Sequence, residues 1–118
     1  MLGKYSREVV RQPTSIIKII LRDNEGKQIA RASLVLIMNE VNPRQYGLLE
    51  DVYVAEEHRH SGHATRLVQE IIDVARQEGC YKLIATSRYT RSLVHRLYLK
   101  LGFRDHGKEF RIDFPEMA

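Results

Sequence analysis

Arg59, Gly62 and Ala64 form the pattern Arg-x-x-Gly-x-Ala, a spacing that suits phosphate binding. An apolar run at 48–54 precedes the pattern and an amphipathic helical pattern follows it, so the turn should join a strand to a helix. At a helix N-terminus the first backbone N–H groups lack intrahelical acceptors and carry the positive end of the helix dipole. Glycine lets the backbone approach a ligand, and arginine adds a permanent cation. These residues therefore predict a diphosphate-binding turn.

Two adjacent acids, Glu50 and Asp51, interrupt the apolar strand that leads into this turn. Neighbouring side chains on a regular strand point to opposite faces, so one carboxylate would enter the interior unless a β-bulge redirects it. Such a local conflict often marks a functional site. The structural alternative is that one acid is exposed while the other pairs with a nearby arginine.

The elements that must position these residues follow from hydrophobic periodicity. Six apolar or alternating runs predict strands, two 3.6-residue stripes predict helices, and Gly79 and Gly102 end those helices. A strand joined to the next strand by a helix is normally parallel to it. We predict strands at 16–21, 28–38, 46–54 and 81–86, helices at 62–78 and 90–101, and closing strands at 103–106 and 109–114.

Composition limits the class of protein. A length of 118 residues, 43% hydrophobic and 29% charged, predicts one folded domain spanning 1–118. The net charge of +4 suits an anionic ligand and also weak contact with nucleic acid. The single cysteine, Cys80, excludes an internal disulfide and favours a reducing, cytoplasmic location. Residues 1–10 lack the long apolar core of a signal peptide, and no apolar run reaches the length of a membrane span, so neither kind of segment is expected.

The chain resembles the GNAT acetyltransferase superfamily in two motifs. The turn at Arg59-x-x-Gly62-x-Ala64 resembles that family's acetyl-coenzyme A loop, Arg/Gln-x-x-Gly-x-Gly/Ala, and residues 49–54 resemble the strand before it. Residues 97–103, Leu-Tyr-Leu-Lys-Leu-Gly-Phe, resemble its late signature. The resemblance covers roughly 16–114. It implies an α/β fold with a GNAT-like mixed β-sheet, splayed central parallel strands flanked by helices, and a reduced N-terminal helical portion.

The resemblance implies an N-acetyltransferase that moves acetyl from acetyl-coenzyme A to a primary amine by direct attack in a ternary complex. The pantetheine arm would pair with the strand end, and the diphosphate would contact the turn. Arg91 stands where asparagine is common in the family, and His60 where glycine is common. The cofactor-binding residues so implied are Val52, Tyr53, Val54, Arg59, His60, Ser61, Gly62, His63, Ala64, Thr65 and Arg91.

Catalytic roles are also implied for Tyr98, Glu50 and Asp51. A phenol with a pKa near ~10 can protonate a leaving thiolate whose conjugate acid has a pKa near ~8.5. Either carboxylate can take the proton that the amine loses on attack, and a backbone N–H near Val54 can stabilise the developing oxyanion. The plain alternative for Tyr98 is an aromatic core residue on a helical stripe.

Other functions stay open from the sequence. A non-catalytic coenzyme A-binding or regulatory subunit would explain the few residues before the first strand, which leave the acceptor site open or covered by a second subunit in a homodimer. A small basic nucleic-acid binder lacks a recognition motif here, so no nucleic acid is expected. The spacing of His58, His60 and His63 fits no named zinc pattern, so no metal is expected. The sequence leaves the amine acceptor unidentified.

Overall fold

Four strands form one mixed sheet in this chain, whose residues 2–40 and 43–116 are described by a computed structural model. Strands β1, β2 and β3 are antiparallel neighbours, and β4 runs parallel to β3 at the edge. This arrangement confirms the predicted mixed α/β fold. The elements are β1 (Ser15–Arg22), β2 (Gln28–Asn39), β3 (Arg44–Val54), α1 (His63–Gln77), β4 (Leu83–Ile84) and α2 (Ser92–Lys100), with short 3-10 helices at Leu2–Lys4 and Glu56–His58.

The core lies between α1 and one face of the sheet. Its fully buried large side chains are Leu34, Leu67, Val68 and Ile71, and the last three belong to the predicted helical stripe. Strand β1 alternates, with half-buried residues on the core side and exposed residues on the other. The second face of the sheet therefore carries exposed side chains from β1. In the described part of the chain, no helix is long and apolar enough to cross a membrane.

The register between β1 and β2 is fixed by the turn that joins them. The Asp23 carboxylate accepts hydrogen bonds from the backbone N–H groups of Glu25 and Lys27, both at 2.9 Å. Gly26 adopts a φ of 84°, a left-handed conformation that costs glycine little. The resulting pairing sets Lys18 opposite Ser33, a relationship that matters for the second face.

The strand predicted at 81–86 is shorter in the structure, where β4 comprises Leu83 and Ile84. Its contact with β3 depends on Gly47. A Cβ at Gly47 would lie 2.6 Å from Cδ1 of Leu34 and 3.0 Å from Cδ1 of Leu83, so only glycine lets the strands pack this closely. The Gly47 N–H donates to the carbonyl of Lys82 at 3.0 Å and anchors β4.

The prediction of two closing strands is wrong. Residues 103–106 and 109–114 have no regular secondary structure, although Phe110, Ile112 and Phe114 alternate with polar residues as in a strand. Alternation provides strand propensity, but a strand forms only against a neighbour that can pair with it. The two residues of β4 present too short an edge. The predicted domain span of 1–118 also includes residues 1, 41–42 and 117–118, which lie outside the described residues.

Candidate functional site

A cleft of about 930 Å³ opens where β3 and β4 diverge. Among the described residues these strands pair only at Gly47–Leu83 and Leu48–Ile84, so the second half of β3 has no strand beside it on this side. The divergence confirms the splayed parallel strands that the family resemblance implied. Backbone groups along the open edge of β3 are consequently available to a ligand.

A β-bulge in β3 separates the two acids. The pairing of β2 with β3 shifts so that Ser33 lies opposite Glu50, whereas Arg31 lies opposite Tyr53. Asp51 occupies the bulge with a φ of 54°, a region that non-glycine residues rarely adopt. The bulge that was left open as an alternative for the adjacent acids is therefore present, and neither carboxylate is buried.

Asp51 is held by an arginine on the neighbouring strand. Its Oδ2 accepts a hydrogen bond from Nε of Arg31 at 2.8 Å, and its Oδ1 accepts one from Nη2 at 3.2 Å. These hydrogen bonds hold the pKa of Asp51 below its ordinary value, and the nearby charges of Arg31 and Lys18 act in the same direction. The structural alternative raised for the pair, an acid engaged with an arginine, therefore describes Asp51.

Glu50 differs from its neighbour. Its carboxylate is exposed, and among the described residues no ion pair or side-chain hydrogen bond engages it. It lines the cleft together with Tyr98. A carboxylate without a cationic partner keeps its capacity to accept a proton, which a carboxylate tied to arginine largely loses.

Tyr98 lies on α2 with its ring half-buried against Phe103, at a centroid separation of 5.2 Å. Burial raises the pKa of the Tyr98 phenol, Arg91 opposes the shift electrostatically, and Glu50 adds to it. The hydroxyl therefore stays protonated across the neutral range. Tyr98 packs against the core cluster, as its alternative interpretation predicted, and it also lines the cleft.

The N-terminus of α1 faces the same cleft. The helix begins at His63 after Gly62, whose φ is 84°, and no side chain of the described residues caps this end. Three N–H groups, those of His63, Ala64 and Thr65, thus lack intrahelical acceptors. A Cβ on Gly62 would meet nothing within 4 Å, so the space beside these donors is open to an anion.

His60 adopts a φ of 65°, the left-handed conformation in which glycine is least strained. Glycine is common at this position in the family that the chain resembles, and here a histidine occupies the backbone region that favours glycine.

Arg59 is fixed to the end of β3. Its Nε donates a hydrogen bond to the carbonyl of Val54 at 2.8 Å, and its guanidinium lies 6.0 Å from the Tyr53 ring centroid. Only the Nε of the guanidinium is used in this bond, so the two Nη groups remain available as donors. A permanent cation is thus held beside the open N-terminus of α1.

The cleft brings together nearly all of the predicted residues. Ser61 is the exception: its hydroxyl lies 3.5 Å from the Arg59 carbonyl and is not part of the lining. The predicted residues that line the cleft are Glu50, Asp51, Val52, Tyr53, Val54, Arg59, His60, Gly62, His63, Ala64, Thr65, Arg91 and Tyr98.

Sequence reasoning missed the loop after β4. Thr86, Ser87 and Arg88 line the cleft, and the buried Ser87 Oγ has no hydrogen-bond partner among the described residues. Ligands in open α/β sheets bind beyond the carboxyl ends of strands, so polar residues directly after an apolar strand were a usable signal. Glu109 and Arg111 also line the cleft, although their segment was expected to form a strand.

Cys80 lies outside the cleft lining, and the histidines at the cleft are not grouped as metal ligands among the described residues. Burial raises the pKa of the Cys80 thiol, and this residue does not line the cleft. The rings of His58 and His63 lie at the cleft with centroids 6.2 Å apart. Within residues 2–40 and 43–116, no group of three or more His, Cys, Asp or Glu side chains is arranged to hold a metal ion.

Comparison with known proteins places this geometry in a family context. The model of the acetyltransferase (GNAT) family matches residues 4–103. The chain is 32% identical to glucosamine 6-phosphate N-acetyltransferase of Trypanosoma brucei brucei over 99 residues, covering 83% of this chain and 65% of that protein. It therefore spans slightly less than two thirds of that relative.

Two further comparisons agree with the first. The chain is 29% identical over 102 residues to aminoglycoside N(6')-acetyltransferase type 1 of Serratia marcescens, covering 84% of this chain and 69% of the relative. The crystal structure of a Trypanosoma brucei acetyltransferase superposes with a TM-score of 0.76 at 30% identity, covering 84% of this chain and 69% of that one.

Proposed function

The chain belongs to the acetyltransferase (GNAT) family, and we propose that it transfers an acetyl group from acetyl-coenzyme A to a primary amine by direct attack in a ternary complex. One observation carries the proposal: Glu50, Tyr98 and the uncapped N-terminus of α1 line a single cleft between diverging strands. When bound, acetyl-coenzyme A supplies the acetyl group as a thioester.

Donor binding would rest on the turn before α1. The free N–H groups of His63, Ala64 and Thr65 and the guanidinium of Arg59 form a donor set of the kind that binds phosphate. The open space beside Gly62 gives a diphosphate access to them. These features fit the group that the family uses.

The pantetheine arm would pair with the open edge of β3. The Ala55 N–H donates to the carbonyl of Ile29 at 2.8 Å, toward β2. Because the backbone N–H and C=O groups of successive residues point to opposite sides of a strand, those of Val54 point away from β2, toward the cleft. On that side the Nε of Arg59 donates to the Val54 carbonyl. The Val54 N–H is then available to the ligand, and it is the donor expected to stabilise negative charge on the carbonyl oxygen.

Glu50 would act as the base. An amine arrives protonated at neutral pH and must lose a proton to attack the thioester carbonyl carbon. Glu50 is exposed at the cleft and has no cationic partner in the part of the chain that the structure describes, whereas Asp51 is bound by Arg31. The proton therefore passes to Glu50, directly or through water.

Tyr98 would act as the acid. As the carbon–sulfur bond breaks, the departing thiolate needs a proton, and a phenol that remains protonated at neutral pH can donate it. No acyl-enzyme is required, which agrees with the position of Cys80 outside the cleft lining. The thiol of Cys80 keeps a structural role.

The acceptor class is proposed from the relatives. Glucosamine 6-phosphate and aminoglycosides are the acceptors named for the two proteins compared above, and both are amino sugars. An amino sugar brings a primary amine and a hydroxylated ring. An open cleft with polar residues at its mouth suits such a molecule.

Assembly as a homodimer is part of the proposal. Phe110, Ile112 and Phe114 are 89%, 79% and 84% exposed, an unusual clustering of large apolar side chains. Burial of this segment against a second copy would remove it from water and supply the pairing neighbour that it lacks among the described residues. Sedimentation of the protein as a monomer at micromolar concentration would contradict this part. The cytoplasmic location remains a prediction from the single cysteine.

The test is an acetyl-transfer assay. The protein is incubated with acetyl-coenzyme A and a panel of amines that includes amino sugars, and free thiol and N-acetylated product are quantified together. Equal amounts of thiol and acetylated amine are expected. Cofactor binding without transfer to any amine would favour the non-catalytic coenzyme A-binding subunit.

A further inference from the structure

A second groove, of about 480 Å³, lies on the sheet face opposite α1. Glu50 and Asp51 line both this groove and the larger cleft. The two openings therefore meet at the proposed base. A molecule bound in the groove can reach that carboxylate without entering the donor's side of the cleft.

Three residues form one row across the groove. Lys18 on β1 pairs with Ser33 on β2, and Ser33 pairs with Glu50 on β3. Partners in antiparallel strands project from the same face, and neighbouring strands lie about 4.8 Å apart, so the Cα atoms of Lys18 and Glu50 are separated by about 10 Å. Ser33 is small and 5% exposed, so it lies at the bottom of the groove between the two long charged side chains of Lys18 and Glu50.

The adjacent row is apolar. Ile16 pairs with Val35, and both residues line the groove. Ile16 is 61% exposed, a high value for an isoleucine in a strand. A ligand's carbon skeleton can cover this row while its polar groups meet the neighbouring one.

The charged side chains that line the groove differ in whether another side chain of the protein already binds them. The negative charge of Asp51 is balanced by Arg31, which donates two hydrogen bonds to its carboxylate. No ion pair engages Lys18 or Glu50 within the described residues. Lys18 and Glu50 therefore lie on either side of Ser33 without an ion pair, although the charge of Lys18 also acts on Asp51. This pattern complements a molecule carrying both charges.

We infer that this groove binds the acceptor, and that the acceptor is an amine that also carries an anionic group, with the amine at Glu50 and the anion at Lys18. The inference rests on the proposed function and narrows its substrate class. Among amino sugars it selects a phosphorylated one over a polycationic aminoglycoside. Lys18 thereby acts as a specificity residue and takes no part in the chemistry.

The test compares glucosamine with glucosamine 6-phosphate, which differ only by the phosphate group. Binding of each to the full chain is measured by calorimetry with coenzyme A present, at low and high salt. The phosphorylated sugar should bind about tenfold to a hundredfold more tightly, the range expected for a hydrogen bond to a charged group. Because Lys18 is exposed, the preference should shrink at high salt.

A lysine variant isolates the residue. Lys18→Ala should remove the preference while leaving the affinity for glucosamine unchanged. Lys27→Ala is the matched control, because Lys27 is an exposed lysine paired with Glu57 at 3.5 Å and does not line the groove. Equal binding of the two sugars, or a preference that survives in Lys18→Ala, would overturn the inference.

Turnover separates this inference from the proposed function. Lys18-dependent binding without acetyl transfer to either sugar would support the groove and contradict the acetyltransferase proposal. Transfer to both sugars at equal kcat/KM, unchanged in Lys18→Ala, would support the acetyltransferase proposal and overturn the groove's role.

Discussion

Arg31 binds Asp51 through two hydrogen bonds, of 2.8 Å and 3.2 Å, while the adjacent carboxylate of Glu50 lacks any such partner in the described part of the chain. The difference arises from the bulge in β3, which directs the two neighbouring side chains to different surroundings. It gives the two acids different chemistry. Asp51 is engaged by Arg31, and Glu50 is the carboxylate that we propose as the base.

Replacement of each acid by its amide distinguishes these roles. Glu50→Gln keeps the size of the side chain but removes its basicity, so kcat should fall by about 100-fold, the lower end of the effect of a general base. Affinity for acetyl-coenzyme A should be unchanged in calorimetry. Asp51→Asn is the control, and its kcat should stay within a few-fold of the wild type. Similar losses of kcat in both variants would refute the assignment.

Tyr98→Phe should lower kcat by about 100-fold without weakening acetyl-coenzyme A binding, because only the proton donor is removed. Burial raises the pKa of Tyr98 above its ordinary value of 10.0, so the phenol stays protonated and competent as an acid across the neutral range. A pH profile of kcat should therefore show no loss from phenol ionisation in the neutral range. An unchanged rate in Tyr98→Phe would remove this residue from the mechanism.

The left-handed backbone of His60 predicts an effect on stability. That conformation costs a residue with a Cβ roughly 1–2 kcal/mol, and replacement by glycine removes this strain from the folded state. Glycine also gives the unfolded chain more conformational freedom, which lowers the stability gained by roughly 0.5–1 kcal/mol. His60→Gly should therefore raise the free energy of unfolding by about 0.5 kcal/mol in urea titration. Ser61→Gly is the control, since Ser61 has no positive φ. It should lower stability, and a matching gain there would show that strain at His60 is not the cause.

Gly47 provides a prediction for the junction of β3 with β4. Gly47→Ala would press a methyl group against Leu34, a fully buried side chain with little room to move. Overpacking of this kind costs typically 1–3 kcal/mol, measurable as a lower unfolding midpoint. At Gly107 a Cβ meets nothing within 4 Å, so Gly107→Ala should be close to neutral. A neutral Gly47→Ala would mean that the strands can separate without loss.

Local patterns predicted the parts of this site that depend on neighbouring residues. The turn at 59–64 joins strand to helix as its spacing indicated, and the adjacent acids correctly indicated a bulge. In each case the determining residues lie within a few positions of one another. Periodicity likewise predicted α1 to within one residue at each end.

Contacts between residues far apart in the sequence could not be predicted from local patterns, because they depend on the register between strands. The partner of Asp51 is Arg31, twenty positions away, and the bond exists because of the register between β2 and β3. The row from Lys18 to Glu50 depends on two such registers. The segment 109–114 has the alternation of a strand, but sequence does not reveal whether a neighbour will be available to pair with it.

Calorimetric titration with acetyl-coenzyme A tests most directly the central claim, that the cleft between β3 and β4 is the donor site. Binding in the micromolar range is predicted for the wild type. Arg59→Ala should weaken it about tenfold, since a charge-assisted contact to the phosphates is lost. Arg104→Ala, an exposed arginine that does not line the cleft, should leave it unchanged. No binding at high micromolar concentration, or equal affinity in wild type and Arg59→Ala, would contradict the account.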